Sequence, residues 1–206
     1  MEAIVHDPEE RAQLIITSCL QEKSADPRKI FMAVASQPFV RMHGPEHHVL
    51  VGAAFLTAYN NAGGKVDLPA ALAELARRAQ DMPGGMCGTW GVCGGVASVG
   101  AALSILEGTG PHSDDNSWAS HMRYTSRALS ALSSVDGPRC CKRDAFLALR
   151  EAVRYARERF GVDMEMAAIV CPFSKRNPDC AGTRCPFHAK ERKPQGVRVE
   201  AKTLKR

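Results

Sequence analysis

Between Pro45 and Asn60 the chain is apolar on nearly every side of a helical turn, with Val49, Leu50, Val51, Ala53, Ala54, Phe55 and Leu56 in close succession. Such a helix is stable only when neighbours cover it all round. The segment therefore predicts a central buried helix, stopped by Gly63-Gly64. A chain of 206 residues is long enough to supply that cover in one well-filled domain.

The remaining segments read as helices that do so. Asp7-Pro8-Glu9-Glu10 combines an N-cap, a proline at the first helical position and a capping-box Glu, opening a helix to about Glu22. Cys19 falls on its apolar face with Ala12, Ile15 and Ile16, which predicts a packed thiol. Asp26-Pro27 opens a short helix through Ala35. Residues 67–80 form a fourth helix on Leu68, Leu72 and Leu75, and a glycine-rich fifth covers about 90–107. A sixth places Trp118, Met122, Thr125, Leu129 and Leu132 at helical spacing. The seventh runs from Asp144 to Phe160 and stops at Gly161. No segment alternates with period two. The expected fold is all-α: one helical domain of about seven helices over residues 7–188, closed by a cysteine-rich loop region at about 162–188.

Seven of the eight cysteines lie in three short clusters within Gly- or Pro-rich sequence. Cysteines that merely pack fall singly on apolar faces, whereas thiols gathered on turns hold metals or exchange electrons. The first cluster contains Cys87 and Cys93. Gly88, Gly94 and Gly95 beside them would let backbone approach an inorganic centre and aim N–H groups at its sulfurs. The alternative is a glycine-rich helix packed tightly on a neighbour. The second cluster is the adjacent pair Cys140-Cys141. Neighbouring thiols do not readily form an unstrained disulfide, so at least one is expected to face a distant partner.

The third cluster reads Cys171-Pro172-Phe173, then Cys180, then Cys185-Pro186-Phe187-His188. Proline after a ligand cysteine recurs in iron–sulfur runs. Cys171, Cys180, Cys185 and His188 also make a Cys₃His zinc set, with spacing that resembles Cys-Cys-Cys-His zinc fingers but is one residue short in the last interval. A [4Fe–4S] cluster is favoured over zinc because four further clustered cysteines are available.

Met42-His43-Gly44-Pro45-Glu46-His47-His48 formally contains an inverted zinc-protease motif. Gly44-Pro45 puts His43 ahead of the helix, so the two histidines would not share a helix face, and a protease is not expected. His43, Glu46, His47 and His48 are instead candidate acid, base or substrate-binding groups beside the cluster, with Glu46 orienting a ring. The competing reading is helix capping with solvent-exposed histidines.

The net charge of +5 comes from the end of the chain. Residues 189–206 hold seven Lys or Arg and two Glu, leaving 20 basic and 20 acidic residues elsewhere. This composition predicts a disordered basic tail rather than a specific nucleic-acid surface. The start of the chain lacks the basic and apolar regions of an export signal, and no apolar run approaches the roughly 20 residues of a spanning helix. The expectation is a cytoplasmic protein that is not membrane-inserted, in a reducing compartment where clustered thiols favour metal or redox chemistry.

Two resemblances sharpen this. Cys93-Gly94-Gly95-Val96-Ala97-Ser98-Val99-Gly100 with Cys140-Cys141 is distantly similar to the redox-active family named for a Cys-Gly-Cys-Ala-x-x-Gly-Cys-Cys pattern, with Gly95 in place of its usual alanine. His43 through His48, Cys87 through Gly95 and Cys171 through Phe187 resemble a cysteine-rich domain-of-unknown-function family of anaerobic bacteria and archaea, sometimes fused to methyltransferases. The resemblance implies a cluster-binding protein of anaerobic metabolism. Its partner would be a small-molecule substrate, or a redox or methyltransferase protein. The functional expectation is redox, sulfur or Lewis-acid chemistry at an iron–sulfur centre. The alternatives are a zinc-stabilised interaction module and a thiol–disulfide redox protein.

Overall fold

The computed structural model describes residues 7–189, so the basic tail from residue 190 on lies outside it. Among the described residues there are eight α-helices, one 3₁₀ turn at Gly182–Arg184 and no strand. The helices are α1 (Pro8–Gln21), α2 (Pro27–Ala35), α3 (Glu46–Asn61), α4 (Leu68–Gln80), α5 (Met86–Thr89), α6 (Gly94–Glu107), α7 (Ser117–Ser133) and α8 (Cys141–Phe160). None is long and apolar enough to cross a membrane. The short α5 was not expected from the pattern, which shows no stripe there.

Local chemistry sets most of the boundaries. Asp7, Asp26 and Asp67 accept from the first-turn amides of α1, α2 and α4, each ahead of an early proline. α3 is central, as its all-round apolarity requires, packing on α1, α2, α4, α6 and α8. Its approach to α6 is close. A Cβ on Gly52 would lie 2.6 Å from Ser98 Oγ and 2.7 Å from the Ser98 carbonyl oxygen, and the Gly52 amide donates to that hydroxyl at 2.9 Å. Small residues along one face of α6 therefore bring Cys93, at its N-cap, up to the first turn of α3.

The expected stripe on α7 is displaced. Trp118 and Met122 are exposed, and the buried face carries Ser120, Tyr124 and Ala128 instead. Those polar groups tolerate burial because they are paired. The Tyr124 hydroxyl donates to the Ala148 carbonyl at 3.1 Å, and Ser120 Oγ lies 2.8 Å from the Tyr155 hydroxyl. Cys19 is fully buried in the core, where burial pushes its thiol up to about 12.

After α8 the chain returns across the bundle without regular structure. The Ala167 amide donates to Asp26 Oδ2 at 2.9 Å and the Glu165 amide to the Ala25 carbonyl at 3.0 Å, which ties this segment to the start of α2. Phe173 and Phe187 are buried, and Phe187 meets Phe146 of α8 edge-on at 5.4 Å.

Candidate metal centre

The seven clustered thiols separate into two groups, and the division falls between Cys140 and Cys141. Cys140, Cys171, Cys180 and Cys185 line one cavity, together with Lys142, Phe173 and Asn177. Cys87, Cys93 and Cys141 line another, with His47, His48, Gly94, Gly95 and Asp144. Cys140 is the extended N-cap of α8 and Cys141 its first helical residue, and the two face separate cavities. All eight cysteines are free thiols.

In the four-thiol group each sulfur meets an N–H. Cys140 is the N-cap of α8, and its Sγ accepts from the Arg143 amide at 3.5 Å and from Asn177 Nδ2 at 3.5 Å. Cys180 Sγ accepts from the Gly182 amide at 3.5 Å. The Phe173 amide faces the Cys171 sulfur and the Phe187 amide the Cys185 sulfur. This explains the twice-repeated Cys-Pro-Phe. Proline fixes φ and has no N–H, so the chain turns and the next amide folds back on the sulfur, while the buried Phe ring anchors the turn. Cys180-Ala181-Gly182 places its amide two residues on in the same way. Burial raises the thiols of Cys171 and Cys185; their amides pull the other way, and the neighbouring sulfurs add to the rise. A bound cation inverts that balance, because it stabilises the deprotonated form of every ligand at once.

The three-thiol cavity lies where three helix starts meet. His47 and His48 come from the first turn of α3, Gly94 and Gly95 from that of α6, and Cys141 and Asp144 from that of α8. Burial pushes the Cys93 thiol up to about 12, against the Gly95 and Val96 amides that face its sulfur. Burial likewise raises Cys141, opposed by the Gly44 amide and by Arg139.

The histidines have distinct places, and neither helical one is a solvent-exposed cap. His47 is 2% exposed and His48 8%. His47 Nδ1 lies 3.0 Å from the Gly44 carbonyl and its Nε2 lies 2.9 Å from Lys142 Nζ, so both ring nitrogens are engaged. A carbonyl on one nitrogen and an ammonium on the other define a neutral ring; burial first, then Lys142, holds His47 well below the usual histidine range. His48 Nδ1 lies 3.2 Å from the Met82 carbonyl, and its Nε2 makes no hydrogen bond among the described residues. Burial lowers this histidine too. His43 sits with the C-terminal loops, its Nε2 2.9 Å from Asn177 Oδ1 and its Nδ1 accepting from the Cys141 amide at 3.4 Å.

Glu46 does not orient a ring. Its Oε1 is clamped by Arg11 and Arg41, and its buried Oε2 has no hydrogen-bond partner among the described residues. It lines a separate cavity of about 280 Å³. The glycines also differ in use. A Cβ on Gly94 would lie 2.2 Å from the His48 ring, and one on Gly95 3.2 Å from Val51 and 3.7 Å from the Cys93 sulfur, whereas Gly88 faces open space. Sequence reasoning missed Asn177, which touches both His43 and Cys140, and Lys142, whose ammonium is buried between the two thiol groups and donates to the Arg41 carbonyl at 3.1 Å. The flanking Phe31 and Phe173 rings lie 6.0 and 5.1 Å from that ammonium.

Among the described residues, no three His, Cys, Asp or Glu side chains lie close enough to hold a single metal ion. The four-thiol cavity measures about 20 Å³ and the three-thiol cavity about 40 Å³. Both are far below the roughly 300–1,000 Å³ that organic ligands occupy. No curated protein and no solved structure matches the chain. A family model does match, over residues 15–188, and the span includes both thiol groups and the histidine turn. The chain belongs to the family of unknown function DUF5714.

Proposed function

We propose that this chain is an iron–sulfur protein of anaerobic metabolism, with a [4Fe–4S] centre held by Cys140, Cys171, Cys180 and Cys185 and acting in electron transfer. The observation that carries the reading is that the four thiols line one cavity, with backbone amides donating to the Cys140 and Cys180 sulfurs and facing those of Cys171 and Cys185. Amides aimed at sulfur stabilise thiolate ligands and tune the potential of the centre they hold. Lys142 and Arg143 line the same cavity and supply positive charge against an anionic centre. Four thiolate ligands leave no coordination position free, which suits a carrier of electrons rather than a site of substrate chemistry.

The four thiols suit a cluster, and the three further clustered cysteines of the chain favour it over zinc. The test is anaerobic purification with iron, zinc and acid-labile sulfide analysis, then electron paramagnetic resonance of the reduced protein. Brown protein whose signal is lost in Cys171→Ser and Cys185→Ser supports the reading. Colourless protein with stoichiometric zinc, or iron indifferent to both substitutions, overturns it.

A further inference from the structure

The three-thiol cavity is more than a packing feature, because its walls face two ways. Cys87, Cys93 and Asp144 line the inner cavity and also a wide groove of about 430 Å³, bounded by Gly91 and by Leu129 and Ser133 of α7. The four-thiol cavity shares no cysteine with that groove. The three-thiol group thus borders that groove, while Phe146, Phe173 and Phe187 line the four-thiol cavity.

The ligating chemistry is also different. Here there are three thiols rather than four, with the His48 ring beside them. Its Nδ1 is fixed on the Met82 carbonyl and its Nε2 makes no hydrogen bond among the described residues, in a residue only 8% exposed. The ring fits only because residue 94 has no side chain. Backbone amides of Gly44, Gly95 and Val96 face the Cys141 and Cys93 sulfurs, which is again the setting of ligand thiolates. Three helix starts and Arg139 border the cavity, and together they favour negative charge within it. Asp144, the acidic group there, is paired with Arg143 Nε at 3.1 Å.

We infer that the chain carries a second inorganic centre, an iron–sulfur cluster held by Cys87, Cys93 and Cys141, with its fourth coordination position open through the groove to a small anionic ligand. Three thiolates leave one iron without a protein sulfur, and that iron acts as a Lewis acid toward whatever enters. The site is independent of the four-thiolate centre. The two share no thiol, and the start of α8 and His43, which lies between Asn177 and the Cys141 amide, connect them.

The experiment uses the full chain, reconstituted anaerobically, with iron and sulfide measured per chain and cyanide as the anionic probe. Wild type is expected to hold about eight irons and eight sulfides, two [4Fe–4S] equivalents, with one of two paramagnetic signals shifted by cyanide. Cys141→Ser and the pair Cys87→Ser/Cys93→Ser should each remove about half of the iron together with the cyanide-sensitive signal. Cys140→Ser should remove the other half and spare that signal. Wild type with one cluster equivalent that survives Cys141→Ser overturns the second centre, as does loss of the same signal from both Cys140→Ser and Cys141→Ser. A wild-type spectrum that cyanide leaves unchanged overturns the open position. If the Cys140 set binds nothing while the Cys141 set keeps its cluster, the proposed electron-transfer centre fails and this one stands. Circular dichroism checks the fold of every variant, and the wild-type stoichiometry decides if the variants unfold.

Discussion

The ammonium of Lys142 lies 2.9 Å from Nε2 of His47, and the lysine is only 1% exposed. A cation buried to that degree is costly without compensation. Burial brings Lys142 down to about 8, against the Cys141, Cys140 and Glu46 charges that support the ammonium. An anionic centre beside it would supply the missing compensation. Lys142→Met should therefore cost about 1–3 kcal/mol in metal-free protein, through the stranded His47 nitrogen and Arg41 carbonyl, and more in loaded protein. Urea unfolding under anaerobic conditions, with and without metal, measures both. A loss no larger in the loaded protein removes the counter-charge role.

His47 and His48 should separate cleanly. His47→Ala removes a ring engaged at both nitrogens and should lower stability by about 1–3 kcal/mol. His48→Ala should leave helicity intact and change the spectrum of the three-thiol site, because its Nε2 makes no hydrogen bond among the described residues. Gly94→Ala, whose Cβ would enter the His48 ring space, should perturb that same site and not the four-thiol one. Paired metal analyses of these variants decide it.

Removing the metal should loosen the chain after residue 160 first. That segment has little regular structure, and a ligand's binding free energy adds to its stability. Limited proteolysis after chelation should cut between 162 and 188 while α1 to α4 stay protected. Unchanged protection of that segment would show that the Phe173 and Phe187 anchors hold it alone.

Asp26 gives the pH dependence. Burial raises its carboxyl, but Arg28 and the Ala167 and Arg28 amides outweigh that and hold it below its ordinary 3.8. A carboxyl depressed in the folded state contributes stability that is complete above its unfolded value and is lost as pH falls through the folded one. Asp26→Asn should cost about 1–3 kcal/mol at pH 7, and the gap from wild type should narrow below about pH 4. Urea midpoints at pH 7 and pH 3 test this; a gap independent of pH would assign the loss to packing.

Gly52→Ala should destabilise by about 1–3 kcal/mol through overpacking. Ser98→Ala should not rescue it, because the Ser98 backbone oxygen, 2.7 Å from the new Cβ, cannot move without shifting α6. Thermal unfolding of the single and double variants checks this.

What the sequence made legible was local. The Asp-Pro pairs at 7–8 and 26–27 mark helix starts because cap and first turn are neighbours in the chain, and the all-round apolarity of α3 marks its centrality. The start of α8 at Cys141 was not legible as a boundary, because a sulfur does the capping there. Nor was the buried face of α7, where hydrogen-bonded Ser120 and Tyr124 displace Trp118 and Met122. One partner of Glu46, Arg11, lies 35 positions away, and no local pattern encodes it. The three cysteine clusters stood out, but their division into four and three depends on which way the adjacent Cys140 and Cys141 face at the start of α8.

That division sets a distance. Cys140 and Cys141 are joined by one peptide bond, so the separation of these two thiols is bounded by covalent geometry, whereas the other walls of each cavity are held by packing. Breathing of the bundle, changes of temperature and substitutions in the core will alter the shape of each chamber while leaving that one separation nearly constant. Whatever the two chambers hold is wired together through a single link of main chain.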